Sequence, residues 1–206
     1  MGPRNAVPRD SRTRVFDAAT HEFAERGYEA AGVDRIAASA RVNKAMIYYH
    51  FGSKLDLYRE VLRHMLRAVG ERARAIADGP GPAELKLDLW IGTLIAEAAA
   101  RPWFPPIMLR ELASSAEHLD ADTVALGNAV FIAVRDIIVQ GQQEGTFRDV
   151  DPLLIHLTLM PAVLLFFARM RVLKRRPRGT GLLEPRAEEA FVRHMQDVAR
   201  RMLRKD

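Results

Sequence analysis

A chain of 206 residues with 49% hydrophobic and 28% charged side chains can bury a core and is too evenly mixed for disorder. It has no cysteine, which excludes disulfides, zinc–cysteine centres and thiol catalysis. The net charge of +5 suits a polyanionic partner, but residues 1–60 hold ten Lys/Arg against eight Asp/Glu, so any nucleic-acid function must rest on placement rather than on bulk charge.

Ala, Leu, Arg and Glu are abundant, and β-branched residues are scattered rather than alternating, which predicts an all-α fold of about nine helices. Residues 1–9 read as a flexible polar arm without the apolar run of a signal peptide. A first helix is expected from Asp10 or Ser11, either of which can cap it, with Val15, Phe16, Ala19 and Phe23 at helical spacing and Gly27 at its end. A short helix over 33–40 carries Val33, Ile36, Ala37 and Ala40 on one face, and Arg41 and Val42 form a turn. A third helix runs from Asn43 or Lys44 to His50, closed by Phe51 and Gly52. Ser53 caps a longer helix to about Ala77, with Asp56 completing a short-armed capping box.

The run Asp78-Gly79-Pro80-Gly81-Pro82 is the clearest break in the chain. Beyond it the spacing predicts helices at 83–101, 106–117, 120–145, 152–173 and 186–204, with an interruption at Pro102 to Pro106. The longest apolar stretch, about Leu157 to Ala168, reads as too short to span a bilayer, so a soluble protein with no membrane partner is expected. The basic run Arg171, Lys174, Arg175, Arg176 and Arg178 reads as a solvated loop.

Three short helices with a tight turn before the third suit a helix-turn-helix, whose last helix enters the major groove. In Asn43 to His50, Ile47 and Phe51 can face inward, leaving Lys44, Ala45, Tyr48 and Tyr49 outward. A small Ala permits close approach to base edges, and Lys and Tyr can bond bases or phosphates. Lys54 opposes the dipole at the start of its helix, a conflict that a bound phosphate would relieve.

The ordered set Phe16, Ala19, Phe23, Gly27-Tyr28, Val33, Ile36-Ala37, Val42, Lys44, Ile47-Tyr48-Tyr49-His50-Phe51, Lys54 and Leu57 resembles the DNA-binding domain of the TetR family. The resemblance spans residues 16–62 and implies a bacterial, cytoplasmic regulator that binds double-stranded DNA at a palindromic operator. It implies that Lys44, Ala45, Met46 and Tyr49 meet bases or nearby backbone, and that Tyr48, His50 and Lys54 clamp phosphates. Arg41 in the turn and Asn43 at the helix start complete the expected DNA-binding set. Three departures stand out: Ala31 and Gly32 replace hydroxyl residues, Arg41 replaces a turn glycine, and Ala45 replaces a glycine in the third helix.

The implied organisation is a helix-turn-helix domain over 10–52 and a larger ligand-binding and dimerisation domain over 53–206, with 53–77 as the connecting helix. Ligand-pocket candidates are the large apolar residues Trp90, Leu94, Trp103, Phe104, Met108, Leu112, Phe131, Phe166 and Phe167, each equally suited to core packing. The helix at 152–173 has more apolar surface than one face needs. Leu157, Met160 and Leu164, with Phe191, Met195, Val198 and Met202 of the last helix, are the candidates for a homodimer interface. The histidines are dispersed, and Glu60 and His64 lack a third ligand nearby in sequence. No nucleophile elbow, phosphate loop or dinucleotide fingerprint occurs, so no metal, cofactor or enzymatic activity is expected.

The function expected is a repressor released from its operator by a small, largely apolar effector. The alternatives are an activator of the same fold, a nucleoid-associated structural protein, and a ligand binder whose DNA-binding domain has decayed.

Overall fold

The computed structural model describes residues 10–174 and 187–205, and among them nine helices occur. They are α1 (Ser11–Ala30), α2 (Val33–Ala40), α3 (Lys44–Phe51), α4 (Lys54–Asp78), α5 (Ala83–Ala100), α6 (Phe104–Ala113), α7 (Ala121–Gln143), α8 (Pro152–Lys174) and α9 (Ala187–Leu203). They fall into two compact units that divide between Leu62 and Arg63.

In the N-terminal unit, Asp10 caps α1 by accepting the Thr13 N–H at 2.7 Å. Gly27 takes φ 75° and breaks the helical geometry, as its C′ character predicts. The chain nevertheless winds one more turn, closed by the Ala31 N–H on the Gly27 and Tyr28 carbonyls. Gly32 caps α2 without a side chain, and the Glu22 carboxylate of α1 accepts the Gly32 N–H at 3.1 Å. Glu22 also accepts from Arg35 at 2.6 Å. Burial works against the Glu22 charge, but these bonds outweigh it and hold the carboxyl below its ordinary range. α2 ends on Arg41 at φ 54° and ψ 50°, a left-handed residue costing on the order of 1 kcal/mol. Its turn is closed by the Val42 N–H on the Ala37 carbonyl at 3.0 Å. Val15, Phe23, Ile36 and Ile47 are completely buried where α1, α2 and α3 meet.

Leu57, Tyr58, Val61 and Leu62 from the first turns of α4 are buried too. Tyr58 packs edge-on against Phe23 at 4.8 Å and against Tyr28 at 5.1 Å. The division into compact units after Leu62 follows from this packing.

The C-terminal unit buries the rest of α4 and α5 to α9 around Trp90, Ile91, Val134, Ile137, Leu159 and Ala199. α5 contacts α7, α8 and α9, while α8 also contacts α6, α7 and α9. α6 begins at Phe104, earlier than the expected 106, and ends at Ala113 rather than 117. Its early prolines, Pro105 and Pro106, start it instead of delaying it, because the first helical N–H groups need no partner. The 152–173 helix forms despite an internal Pro161. By length and composition alone, Ala121–Gln143 and Pro152–Leu173 pass for bilayer-crossing helices, a test that the core helix of a soluble protein also passes. Arg175, Arg176 and Arg178 of the basic run lie outside the described residues.

Candidate nucleic-acid interface and ligand cavity

α3 is short because its two ends are chemically marked. The Asn43 side chain caps it by accepting the Ala45 N–H at 2.9 Å, and Gly52 ends it at φ 80°. Ile47 and Phe51 turn into the core, as the sequence spacing predicts. Lys44, Ala45, Tyr48 and Tyr49 face outward, and Tyr49 is 80% exposed. A tyrosine this bare, beside a lysine and a second exposed tyrosine, contributes little to folding and is available to a partner. Arg41 and Asn43 are exposed on the same turn, and Met46 is half-buried.

Besides Asn43, which caps α3, three of the expected contact residues have partners inside the unit. The Lys44 ammonium lies 2.9 Å from Asp34, whose hydrogen bond raises the lysine pKa. The His50 Nε2 lies 2.7 Å from the Ser11 hydroxyl. Lys54 sits 4.4 Å above the Tyr28 ring and donates to the Glu29 carbonyl at 3.3 Å. The ring and carbonyl thus relieve the unfavourable charge at the start of α4 without a phosphate. The capping of α4 is as the sequence predicts, since Ser53 Oγ accepts the Asp56 N–H at 3.0 Å and donates to Asp56 Oδ2 at 2.6 Å. Glu60, considered as a metal ligand and set aside, pairs with Arg12 at 3.1 Å. Sequence reasoning did not find Asp34 or Glu22 and named Ser11 only as a helix cap; all three come into place through turns and helix packing.

The C-terminal unit contains a cavity of about 240 Å³. α4 supplies Met65, Leu66 and Val69, and α5 supplies Leu94, Glu97 and Ala98. α6 supplies Phe104, Met108 and Leu112, and α7 contributes Gly127 and Val130. α8 supplies His156, Leu157, Met160, Pro161, Val163 and Leu164. Of the nine pocket candidates, Leu94, Phe104, Met108 and Leu112 line this space. Trp90 is fully buried behind His156, and Phe131 meets the same imidazole edge-on at 5.4 Å. Phe166 stacks on Phe191 at 3.9 Å and Phe167 lies in the core. Trp103 is half-buried at the N-cap of α6.

Two polar residues in the wall were not foreseen. Glu97 is 2% exposed and is held by Arg72 and Arg101, one on each carboxylate oxygen. His156 has a buried Nδ1 with no hydrogen-bond partner, and burial pushes its pKa down. The available signal was a lone acid among the alanines of one apolar helix and a lone histidine among the leucines of another.

The dimer candidates are divided. Leu164 and Met195 are buried within the subunit, so they are withdrawn from an interface. Phe191 is committed to its stack with Phe166, and Val198 and Met202 are half-buried. Leu157 is exposed and Met160 half-exposed at the cavity wall. The bare apolar surface of α8 consists of Leu153, Leu154, Leu157, Leu165 and Val172.

A helix-turn-helix with an outward lysine–tyrosine face, followed by a larger helical unit with an apolar cavity, defines a DNA-binding regulator with a sensory domain. Residues 15–61 match the family described as bacterial regulatory proteins, tetR family, and residues 86–199 match the tetracyclin repressor-like C-terminal domain. The chain belongs to the TetR family of transcriptional regulators, a non-enzymatic family. It is 33% identical over 155 residues to the HTH-type transcriptional repressor SCO4008 of Streptomyces coelicolor, covering 70% of this chain and 71% of that protein. It is 29% identical to the repressor NicS of Pseudomonas putida, covering 76% of this chain and 74% of that one. The activator FasR of Mycolicibacterium smegmatis is 51% identical, but over 63 residues, 30% of this chain and 29% of FasR. Among solved structures, the TetR-family regulator PfmR of Thermus thermophilus superposes with a TM-score of 0.72 at 25% identity, covering 93% of this chain and 100% of that one. A tetR-family regulatory protein from Rhodococcus RHA1 gives 0.77 at 22% identity, covering 96% and 99%.

Proposed function

We propose that this regulator is a cytoplasmic homodimeric repressor that leaves a palindromic operator when a small, largely apolar effector enters the cavity. The observation that carries the effector reading is the cavity itself, whose wall is apolar except for Glu97 and His156. Repression is supported by two relatives described as repressors, each matched over more than two thirds of both chains. Dimerisation is supported by the exposed leucines of α8 and by the need for two recognition helices about 34 Å apart on two half-sites.

In this reading Lys44, Ala45, Met46 and Tyr49 meet the bases or adjacent backbone, and Arg41, Asn43, Tyr48, His50 and Lys54 hold phosphates. The coupling element is α4. Its start is anchored in the N-terminal core by Leu57 and Tyr58, and its middle lines the cavity through Met65, Leu66 and Val69. An effector that fits better when α4 is displaced draws the population toward a dimer whose recognition helices no longer match the half-sites.

Fragments of the source genome selected with the purified protein at physiological salt test this reading. A short palindrome overlapping a promoter, with transcription rising when the protein is removed, is the expected result. Transcription falling on removal overturns repression and favours an activator, the reading that the FasR match over 63 residues supports. Recovery without any sequence preference removes the site-specific regulator altogether.

A further inference from the structure

Two buried polar atoms behind the cavity wall lack partners, and they are chemically complementary. One is Nδ1 of His156 and the other is Nε1 of Trp90. Their rings lie 6.3 Å apart, centroid to centroid. An indole nitrogen only donates, whereas a neutral imidazole nitrogen can accept. A buried N–H without an acceptor is rarer in proteins than an under-used acceptor. Both facts favour the tautomer with its lone pair on Nδ1 and its proton on Nε2.

The wall's other polar group is already charge-paired, because each oxygen of Glu97 accepts from an arginine, Arg72 or Arg101. Burial disfavours the charged form of the His156 imidazole as a counter-ion for a charged ligand, and stripping water from an unpaired charge is expensive. An apolar cavity of about 150 Å³ holds benzene, so about 240 Å³ scales to roughly ten non-hydrogen atoms.

Resting on the effector reading above, we propose that the effector is a neutral molecule of roughly ten non-hydrogen atoms, apolar except for one hydrogen-bond acceptor such as a ketone or ester carbonyl. The His156 Nε2–H reads that acceptor, and Trp90 is the positioning residue whose buried, unpaired N–H makes a second unpaired donor at Nδ1 unfavourable.

Four probes of one shape test this: acetophenone, cumene, benzoate and 1-phenylethylammonium. Their binding to the full-length protein is measured by calorimetry and thermal shift. His156→Phe is expected to weaken acetophenone about tenfold more than it weakens cumene. Trp90→Phe should reduce the acetophenone preference in the same direction, and the two charged probes should bind about tenfold more weakly than acetophenone. Nitrogen-15 NMR of the wild-type imidazole should report the Nε2–H tautomer, a readout independent of whether either variant folds.

An equal response of acetophenone and cumene to His156→Phe, or a proton found on Nδ1, overturns the role of His156 and leaves the effector cavity standing. Tighter binding of benzoate or the ammonium overturns neutrality. Failure of all four probes to bind the wild type removes the cavity as a site for ligands of this size, and the proposed release step with it.

Discussion

The ammonium of Lys44 and the carboxylate of Asp34 lie 2.9 Å apart, joining the start of the expected recognition helix to the first turn of the helix before it. Both side chains are exposed, at 47% and 81%, so the pair is solvent-screened and contributes little to stability. Its consequence is for binding, since Lys44 must exchange Asp34 for DNA. Asp34→Ala should strengthen operator binding severalfold and steepen its salt dependence. Lys44→Ala should weaken binding about tenfold and lower the salt slope by about one if the contact is a phosphate. Fluorescence anisotropy across a salt series measures both. An unchanged affinity in Lys44→Ala would remove the residue from the interface.

Tyr49 and Tyr58 are opposite cases in one small unit. Tyr49→Ala removes an 80% exposed ring, so it should change stability by no more than about 0.5 kcal/mol while cutting operator affinity at least tenfold. Tyr58→Ala removes a ring that is 1% exposed and packed on Phe23 and Tyr28, and should cost about 3–5 kcal/mol. Urea melts and DNA titrations of the same preparations separate the two effects.

Gly127 lines the cavity, and a Cβ built there meets nothing within 4 Å. Gly127→Ala should therefore stabilise the protein by about 0.5–1 kcal/mol through helix propensity alone. Gly127→Leu should fill the space, keep operator binding and abolish release by effector. Release at wild-type effector concentration in Gly127→Leu would place the effector elsewhere.

Leu154 and Leu165 are 61% and 62% exposed on α8. Leu165→Glu, alone or with Leu154→Glu, should convert a dimer to monomers in sedimentation velocity without lowering the melting temperature of the monomer. A dimer that persists in the double variant would move the interface off this face.

Two groups of the C-terminal unit predict acid sensitivity in separate ranges. His156 has its pKa lowered by burial from 6.5, so below about that pH the unfolded chain takes up a proton that the folded chain refuses. Stability should fall as pH drops from there and level off once the folded imidazole is protonated. Asp120 caps α7, and hydrogen bonds from Thr123 with the charge of Arg63 bring its pKa to about 2 from 3.8. That contribution is complete above pH 3.8 and disappears as pH falls toward 2. Urea midpoints of wild type and His156→Phe at pH 5 and 8 isolate the histidine part, which should be absent from the variant.

How much of this was legible beforehand depends on the range of the interactions involved. The caps at Asp10 and Ser53, the break at Gly27 and the inward Ile47 and Phe51 of α3 are local, because a helix end or a buried face is fixed by residues three or four apart. The outward face of Lys44, Ala45, Tyr48 and Tyr49 followed from the same periodicity. α6 was misplaced because proline was read as a breaker where it can begin a helix.

The amino-acid sequence by itself determined the helical class, the helix-turn-helix and the outward residues of α3. The tertiary structure decided which apolar residues border a cavity and which fill the core, and therefore why Phe104 and Met108 line the space while Phe167 and Met195 do not. It also decided that Lys44 faces Asp34, that His50 meets Ser11, and that His156 stands in an apolar wall beside Trp90. Hydrophobicity tells a side chain to leave water but not which neighbour to leave it for, and that choice is made when the helices pack.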